Sequence, residues 1–179
     1  MSSPLTVELT SLDATERLAA EALSRAASGT LLVLTGPLGS GKTTLTQLIA
    51  RRLGSQASVT SPSYTLVHEY PTEEGLLVHI DAYRLGSVRR LAALGIDDYL
   101  DRARLVVVEW GAELLAHHPE ALWLDLSLEL GAAGADAHGG DGALRRYATW
   151  RDPADYPSAP DVATPSGQAT DYPPEPRQP

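Results

Sequence analysis

The sequence predicts an α/β fold, a mostly parallel sheet flanked by helices with antiparallel strands at its C-terminal side, and three observations carry that reading. Apolar runs of strand length alternate with stretches whose apolar residues recur at helical spacing. A glycine-rich segment, Gly36-Pro-Leu-Gly-Ser-Gly-Lys-Thr-Thr44, joins one apolar run to one amphipathic stretch. No run reaches the roughly 18 uncharged apolar residues of a membrane span. The start, Met1 to Glu8, also lacks a basic stretch followed by an apolar one, so a soluble cytoplasmic protein is expected.

Taken in order, Leu5–Leu9 reads as a strand. Asp13-x-x-Glu16 has the form of a capping box, and Leu12, Leu18, Ala19, Ala22, Leu23 and Ala26 continue a helix to Ala27. Thr30–Thr35 is an apolar strand fit for burial on both faces. Lys42–Leu53 carries Leu45, Leu48, Ile49 and Leu53 on one side and stops at Gly54, as a glycine-capped helix should. Further strands are expected at Tyr64–Tyr70, Leu76–Ile80, Leu105–Val108, Ala121–Leu128 and Leu144–Trp150, with a short helix at Val88–Leu94. The Gly/Ala-rich stretch 131–142 reads as a flexible hairpin loop.

Composition changes near residue 151, because 8 of the 13 prolines fall in 151–179. Tyr156 and Tyr172 are the large side chains there, too few to offset ordering costs of about 1–2 kcal/mol per residue. The expected organisation is one folded unit over 1–150 and a Pro-rich disordered tail over 151–179. Ending the chain after Trp150 is accordingly expected to leave the melting temperature nearly unchanged.

The chain has 179 residues, a net charge of −9 and no cysteine. The missing cysteines remove disulfides, cysteine-ligated zinc, iron–sulfur clusters and a thiol nucleophile together. The acidic balance argues against a broad nucleic-acid footprint and leaves room for a local one. Arg84, Arg89, Arg90, Arg102 and Arg104 form such a concentration, suited to RNA, to an acidic protein surface, or to nothing beyond solvation.

The segment Gly36–Thr44 satisfies G-x-x-x-x-G-K-[ST] between a strand and a helix, the context a P-loop NTPase requires. Gly36, Gly39 and Gly41 let the backbone wrap a phosphate, so that the N–H groups of Leu38, Gly39, Ser40 and Gly41 converge on its oxygens. Lys42, the chain's one lysine, is read as an exposed loop residue carrying a point charge for the β- and γ-phosphates. Thr43 offers a hydroxyl to Mg²⁺ and Thr44 one to the α-phosphate. Asp81 and Glu109 each end an apolar strand, so a parallel sheet brings both to the carboxyl edge beside the loop. His79 shares a strand face with Asp81 and is read as a packed residue supporting the site. No asparagine occurs, so the Asn-Lys-x-Asp segment that reads guanine is absent and ATP is expected over GTP. Trp110 packs either at the nucleotide edge or in the core. Ser11 and Arg145 are candidates for the adenine end, with Thr10 beside them.

These residues also carry a resemblance. Gly36–Thr44, Ser61–Val67 (Ser-Pro-Ser-Tyr-Thr-Leu-Val), His79–Leu85 (His-x-Asp-x-Tyr-Arg-Leu) and Glu109–Trp110, in that order, resemble the motifs of the bacterial TsaE (YjeE) family, and Leu94–Leu100 matches a further stretch of it. Ser63 stands where that family usually has Thr, and Gly111 where Pro is common. The resemblance implies an Mg²⁺-dependent P-loop ATPase that supports N6-threonylcarbamoylation of adenosine-37 in ANN-decoding tRNAs. Its partners would be TsaD- and TsaB-type transferase subunits, with tRNA contacted mainly through that complex. It further implies that Glu109 and Thr43 hold Mg²⁺, that Asp81 orients or deprotonates the hydrolytic water, and that Ser61, Ser63, Tyr64 and Thr65 form a switch following the γ-phosphate. A small-molecule or nucleotide kinase, and a nucleotide-gated binding module with little hydrolysis, are the alternative readings.

Overall fold

The computed structural model describes residues 5–60, 62, 66–85, 93–130 and 144–157. In chain order its elements are β1 (Thr6–Glu8), α1 (Leu12–Arg25), β2 (Thr30–Thr35), α2 (Lys42–Arg52), β3 (Val67–Thr72), β4 (Gly75–Asp81), α3 (Ile96–Leu100), β5 (Leu105–Glu109), β6 (Leu122–Leu130) and β7 (Leu144–Arg151). Short 3-10 turns follow β4 (Ala82–Arg84), β5 (Ala112–Ala116) and β7 (Pro153–Asp155).

The strands form one seven-stranded mixed sheet in the order β1-β7-β6-β2-β5-β4-β3. The centre is parallel: β2 lies between β5 and β6, and β4 pairs with β5. Antiparallel pairs occupy both flanks, β1–β7–β6 on one and β3–β4 on the other, and not the C-terminal side alone as expected. The second flank follows from the two residues, Glu73 and Glu74, that separate β3 from β4. Two residues close a hairpin but cannot make a parallel crossover. The pairing also carries β3 to Thr72 and starts it at Val67, whereas the expected strand began at Tyr64.

Alternation along the strands divides the interior into two layers. Leu32 and Leu34 of β2, Leu77, Val107, Leu124 and Ala148 pack against α1 and α2. Leu31 and Val33, Val78, Ile80, Val106 and Val108 pack on the opposite face against Leu114, Leu115 and Ala121. With helices or turns on both faces, β5 is buried at every position, which explains its unbroken apolar run. The cap of α1 is Ser11, whose Oγ accepts from the Ala14 N–H at 3.2 Å. Asp13 is a first-turn acid and not the cap expected from the Asp13-x-x-Glu16 pattern.

The chain keeps its structure past the expected boundary at 150. Arg151 is the last residue of β7 and donates to Asp125 Oδ2 from Nε (3.1 Å) and Nη2 (2.9 Å). The Thr35 hydroxyl donates to Asp125 Oδ1 (2.6 Å) and accepts from Trp123 Nε1 (2.9 Å), and Tyr156 stands edge-on to Trp123 at 5.8 Å. The segment 151–157 therefore braces the end of β2, one residue before Gly36. A chain ending at 150 should melt roughly 3–6 °C below one ending at 157, corresponding to about 1–2 kcal/mol for the half-exposed ion pair and the ring contact. Equal melting curves would show that the brace contributes nothing. Residues 158–179 of the expected tail, the loop at 131–142 and most of the expected helix Val88–Leu94 lie outside the described residues.

Candidate functional site

Because β2, β5 and β4 are parallel neighbours, their carboxyl ends leave the sheet side by side, with Glu109 opposite Asp81 in register. Parity decides which side chains reach the α2 face. Leu77 and Val107 belong to the layer under α2, so His79, Asp81 and Glu109, in phase with them, point the same way. The loop 36–41 carries the chain from β2 into α2. Gly36 has φ +124, and a Cβ there would land on the Leu126 carbonyl oxygen, so no side chain is tolerated. Gly41, at φ +104, ends the loop in a left-handed conformation, and a Cβ on it would meet nothing within 4 Å. The concavity in front of the α2 N-terminus is thus open, which is the space a phosphate needs.

Lys42 is buried, not exposed as the sequence suggested. Its Nζ donates to the carbonyl oxygens of Gly36 (2.8 Å) and Pro37 (2.9 Å) and lies 3.8 Å from the centre of the Trp110 ring. Burial lowers the Lys42 pKa from its ordinary value, while the charges of Glu109 and Asp81 pull it back up. Trp110 reaches this position because the chain turns at φ +64 directly after β5, a conformation costing about 1–3 kcal/mol in a non-glycine residue. The indole also leans on Tyr83 at 4.9 Å, so it belongs to the edge of the site as well as to the core layer behind it.

Thr43 Oγ1 donates to Glu109 Oε2 at 3.1 Å, and the other carboxylate oxygen, Oε1, lies 2.8 Å from His79 Nε2. Asp81 accepts from the Tyr83 N–H at 3.1 Å through Oδ1, capping the turn that follows β4. Among the described residues no three His, Asp or Glu side chains cluster as a metal cage. One hydroxyl beside one carboxylate, at the mouth of an open phosphate cradle, fits Mg²⁺, which dehydrates reluctantly and fills its shell with waters and phosphate oxygens.

Two depressions meet along Gly39, Gly41 and Thr44. One, of about 230 Å³, is lined by Leu38, Lys42, Thr43, Asp81, Tyr83, Glu109 and Trp110. The other, of about 290 Å³, is lined by Leu9, Thr10, Ser11, Leu12, Thr15, Ser40 and Arg146. Together they flank the loop 36–41 on its two sides.

The family model described as threonylcarbamoyl adenosine biosynthesis protein TsaE matches residues 9–135. The chain belongs to the TsaE family. It is similar to the tRNA threonylcarbamoyladenosine biosynthesis protein TsaE of Haemophilus influenzae, 40% identical over 91 residues, 51% of this chain and 58% of that protein. The TsaE of Streptomyces coelicolor is 41% identical over 87 residues, 47% of this chain and 58% of that one. The chain thus spans less than two thirds of the length of these curated relatives. Among solved structures it resembles that of Bacillus subtilis YdiB, with a TM-score of 0.59 and 27% identity over 87% of this chain and 90% of that one.

In this TsaE-family chain the fold brings together Leu38, Gly39, Ser40, Gly41, Lys42, Thr43, Thr44, Asp81, Glu109 and Trp110, all selected from sequence, and places Ser11 on the wall of the second depression. Ser40 is fully buried and Leu38 is exposed at the loop tip, so either would meet a ligand through its backbone N–H. Arg145 is a correction: it points to Glu8, 3.8 Å away, and its neighbour Arg146 lines the depression. Ala148 and Trp150 of β7 face α1, and a side-chain period of two puts Arg146 in phase with them and Arg145 out of phase. That parity was available in the strand pattern. Of the arginine concentration, Arg102 pairs with Glu69 and Arg104 donates to the Ala27 carbonyl, which commits both within the chain. The Arg84 side chain, Arg89, Arg90 and the switch residues Ser61, Ser63, Tyr64 and Thr65 lie outside the described residues. No helix among the described residues is long and apolar enough to cross a membrane.

Proposed function

We propose that the chain is a P-loop NTPase that hydrolyses ATP with Mg²⁺ in the cytoplasm and thereby supports N6-threonylcarbamoylation of tRNA adenosine-37, acting with TsaD- and TsaB-type transferase subunits. The observation that carries the reading is the convergence of Lys42, Thr43, Asp81 and Glu109 on one depression in a chain of the TsaE family. The loop N–H groups and Lys42 bind and orient the phosphates, for which Lys42 exchanges its Gly36 and Pro37 carbonyl partners for phosphate oxygens. Thr43 and Glu109 hold Mg²⁺, which when bound neutralises charge developing on the phosphates. Asp81, beside them, orients the attacking water and takes its proton. Ser11, Thr10 and Arg146 take the base end.

An acidic chain in which Arg25, Arg102, Arg104, Arg145 and Arg151 are committed to internal partners is poorly equipped to hold tRNA alone, so its effect is exerted through a protein complex. In a reconstituted system of transferase pair, threonylcarbamoyl-adenylate and tRNA, adding this protein and ATP should permit repeated rounds of modification. Omitting it should stall the reaction after a single round per complex. Undiminished multiple turnover in its absence would remove the reading.

A further inference from the structure

The strand parity that brings Asp81 and Glu109 to the site also buries a histidine directly beneath them. His79 is fully inaccessible and shares its face with Leu77 and Val107, a setting in which an aliphatic side chain would pack without desolvating two ring nitrogens. One of those nitrogens, Nδ1, has no hydrogen-bond partner. The other, Nε2, has one, Glu109 Oε1 at 2.8 Å. A carboxylate only accepts, so Nε2 is the donor in this bond, and Nδ1 is left without a partner. The imidazole is therefore retained at the expense of an unsatisfied buried atom, and among the described residues its one hydrogen-bond partner is the carboxylate that faces Thr43.

We propose that His79 is a positioning residue for the Mg²⁺-binding carboxylate: by holding Oε1 of Glu109 it leaves Oε2 alone turned toward Thr43, fixing Glu109 as a one-oxygen partner of the cation. The proposal deepens the reading of this site as a Mg²⁺-nucleotide site and rests on it. Freed from the imidazole, the carboxylate can turn away from Thr43, leaving the cation with a weaker ligand.

The test uses two substitutions that both bury an amide. His79→Gln places its N–H donor near the position of Nε2, and His79→Asn places one near Nδ1, where nothing accepts it. After thermal melting has shown both full-length variants folded, ATP binding is measured with and without Mg²⁺, and Mg²⁺ is titrated at fixed ATP. His79→Asn should need about 10-fold or more Mg²⁺ for half-saturation, the usual cost of losing a group that orients a metal ligand. His79→Gln should stay within about 3-fold of wild type, and Mg²⁺-free ATP affinity should change little in either, since uniform loosening would weaken both modes of binding alike. A wild-type Mg²⁺ dependence preserved in folded His79→Asn, or lost equally in both variants, overturns the tether alone. A wild-type protein whose ATP binding ignores Mg²⁺ overturns the reading of the site, and the tether with it.

Discussion

Replacing Lys42 with alanine should weaken ATP binding by roughly 100-fold or more and abolish turnover. Charge-assisted hydrogen bonds contribute about 1.5–3 kcal/mol each, and two of them, to the β- and γ-phosphates, account for that factor at about 1.4 kcal/mol per tenfold. The effect on folding is expected to be modest, for a reason visible only in three dimensions. The ammonium is held by two backbone carbonyls and an indole face, but it is also desolvated, as its lowered pKa records, and the two terms oppose each other. Water entering the open depression can satisfy the Gly36 and Pro37 carbonyls once the side chain is gone. Calorimetric titration with ATP, paired with thermal melting, checks both halves. Wild-type affinity in a folded Lys42→Ala protein would remove the phosphate assignment.

The parts of the site legible in sequence were those set by short-range rules. The strand, glycine loop and helix from Thr30 to Arg52 are contiguous, and the left-handed glycines could be read from the spacing. The two carboxylates were legible because each ends an apolar run and parallel strands end together. What escaped depended on contacts between segments far apart in the chain. The burial of Lys42 requires Trp110, which reaches it through a positive φ that nothing in Glu109-Trp110-Gly111 announces. The bracing of Thr35 by Asp125 and Arg151 requires the register of β6 on β7, and that register is what carries the fold beyond the proline-rich boundary. That Arg146 and not Arg145 lines the second depression follows from side-chain parity within β7, readable from Ala148 and Trp150 once the buried face of the strand is known.

Asp81→Asn should leave ATP and Mg²⁺ affinity within about twofold and lower hydrolysis by 10²–10⁴-fold, the usual range for loss of a positioned general base. Asparagine is the informative replacement because it separates the turn-capping contact of Asp81 from its proposed role as the base. Asp81 Oδ1 caps the turn after β4 by accepting from the Tyr83 N–H, and an amide oxygen can do the same, so the turn and the Tyr83–Trp110 stack beside it survive. What asparagine cannot do is take a proton from water. Glu109→Ala should behave in the opposite way, because it removes the acceptor of the Thr43 hydroxyl and the partner of His79 together. Mg²⁺-dependent binding should fall while Mg²⁺-free binding persists. Phosphate release under saturating ATP and Mg²⁺, set beside affinities measured with and without the cation, separates the two variants. If Asp81→Asn instead loses Mg²⁺ dependence and Glu109→Ala instead keeps binding but not turnover, the two carboxylates exchange roles, and the cation then sits at the β4 end of the depression, away from Thr43.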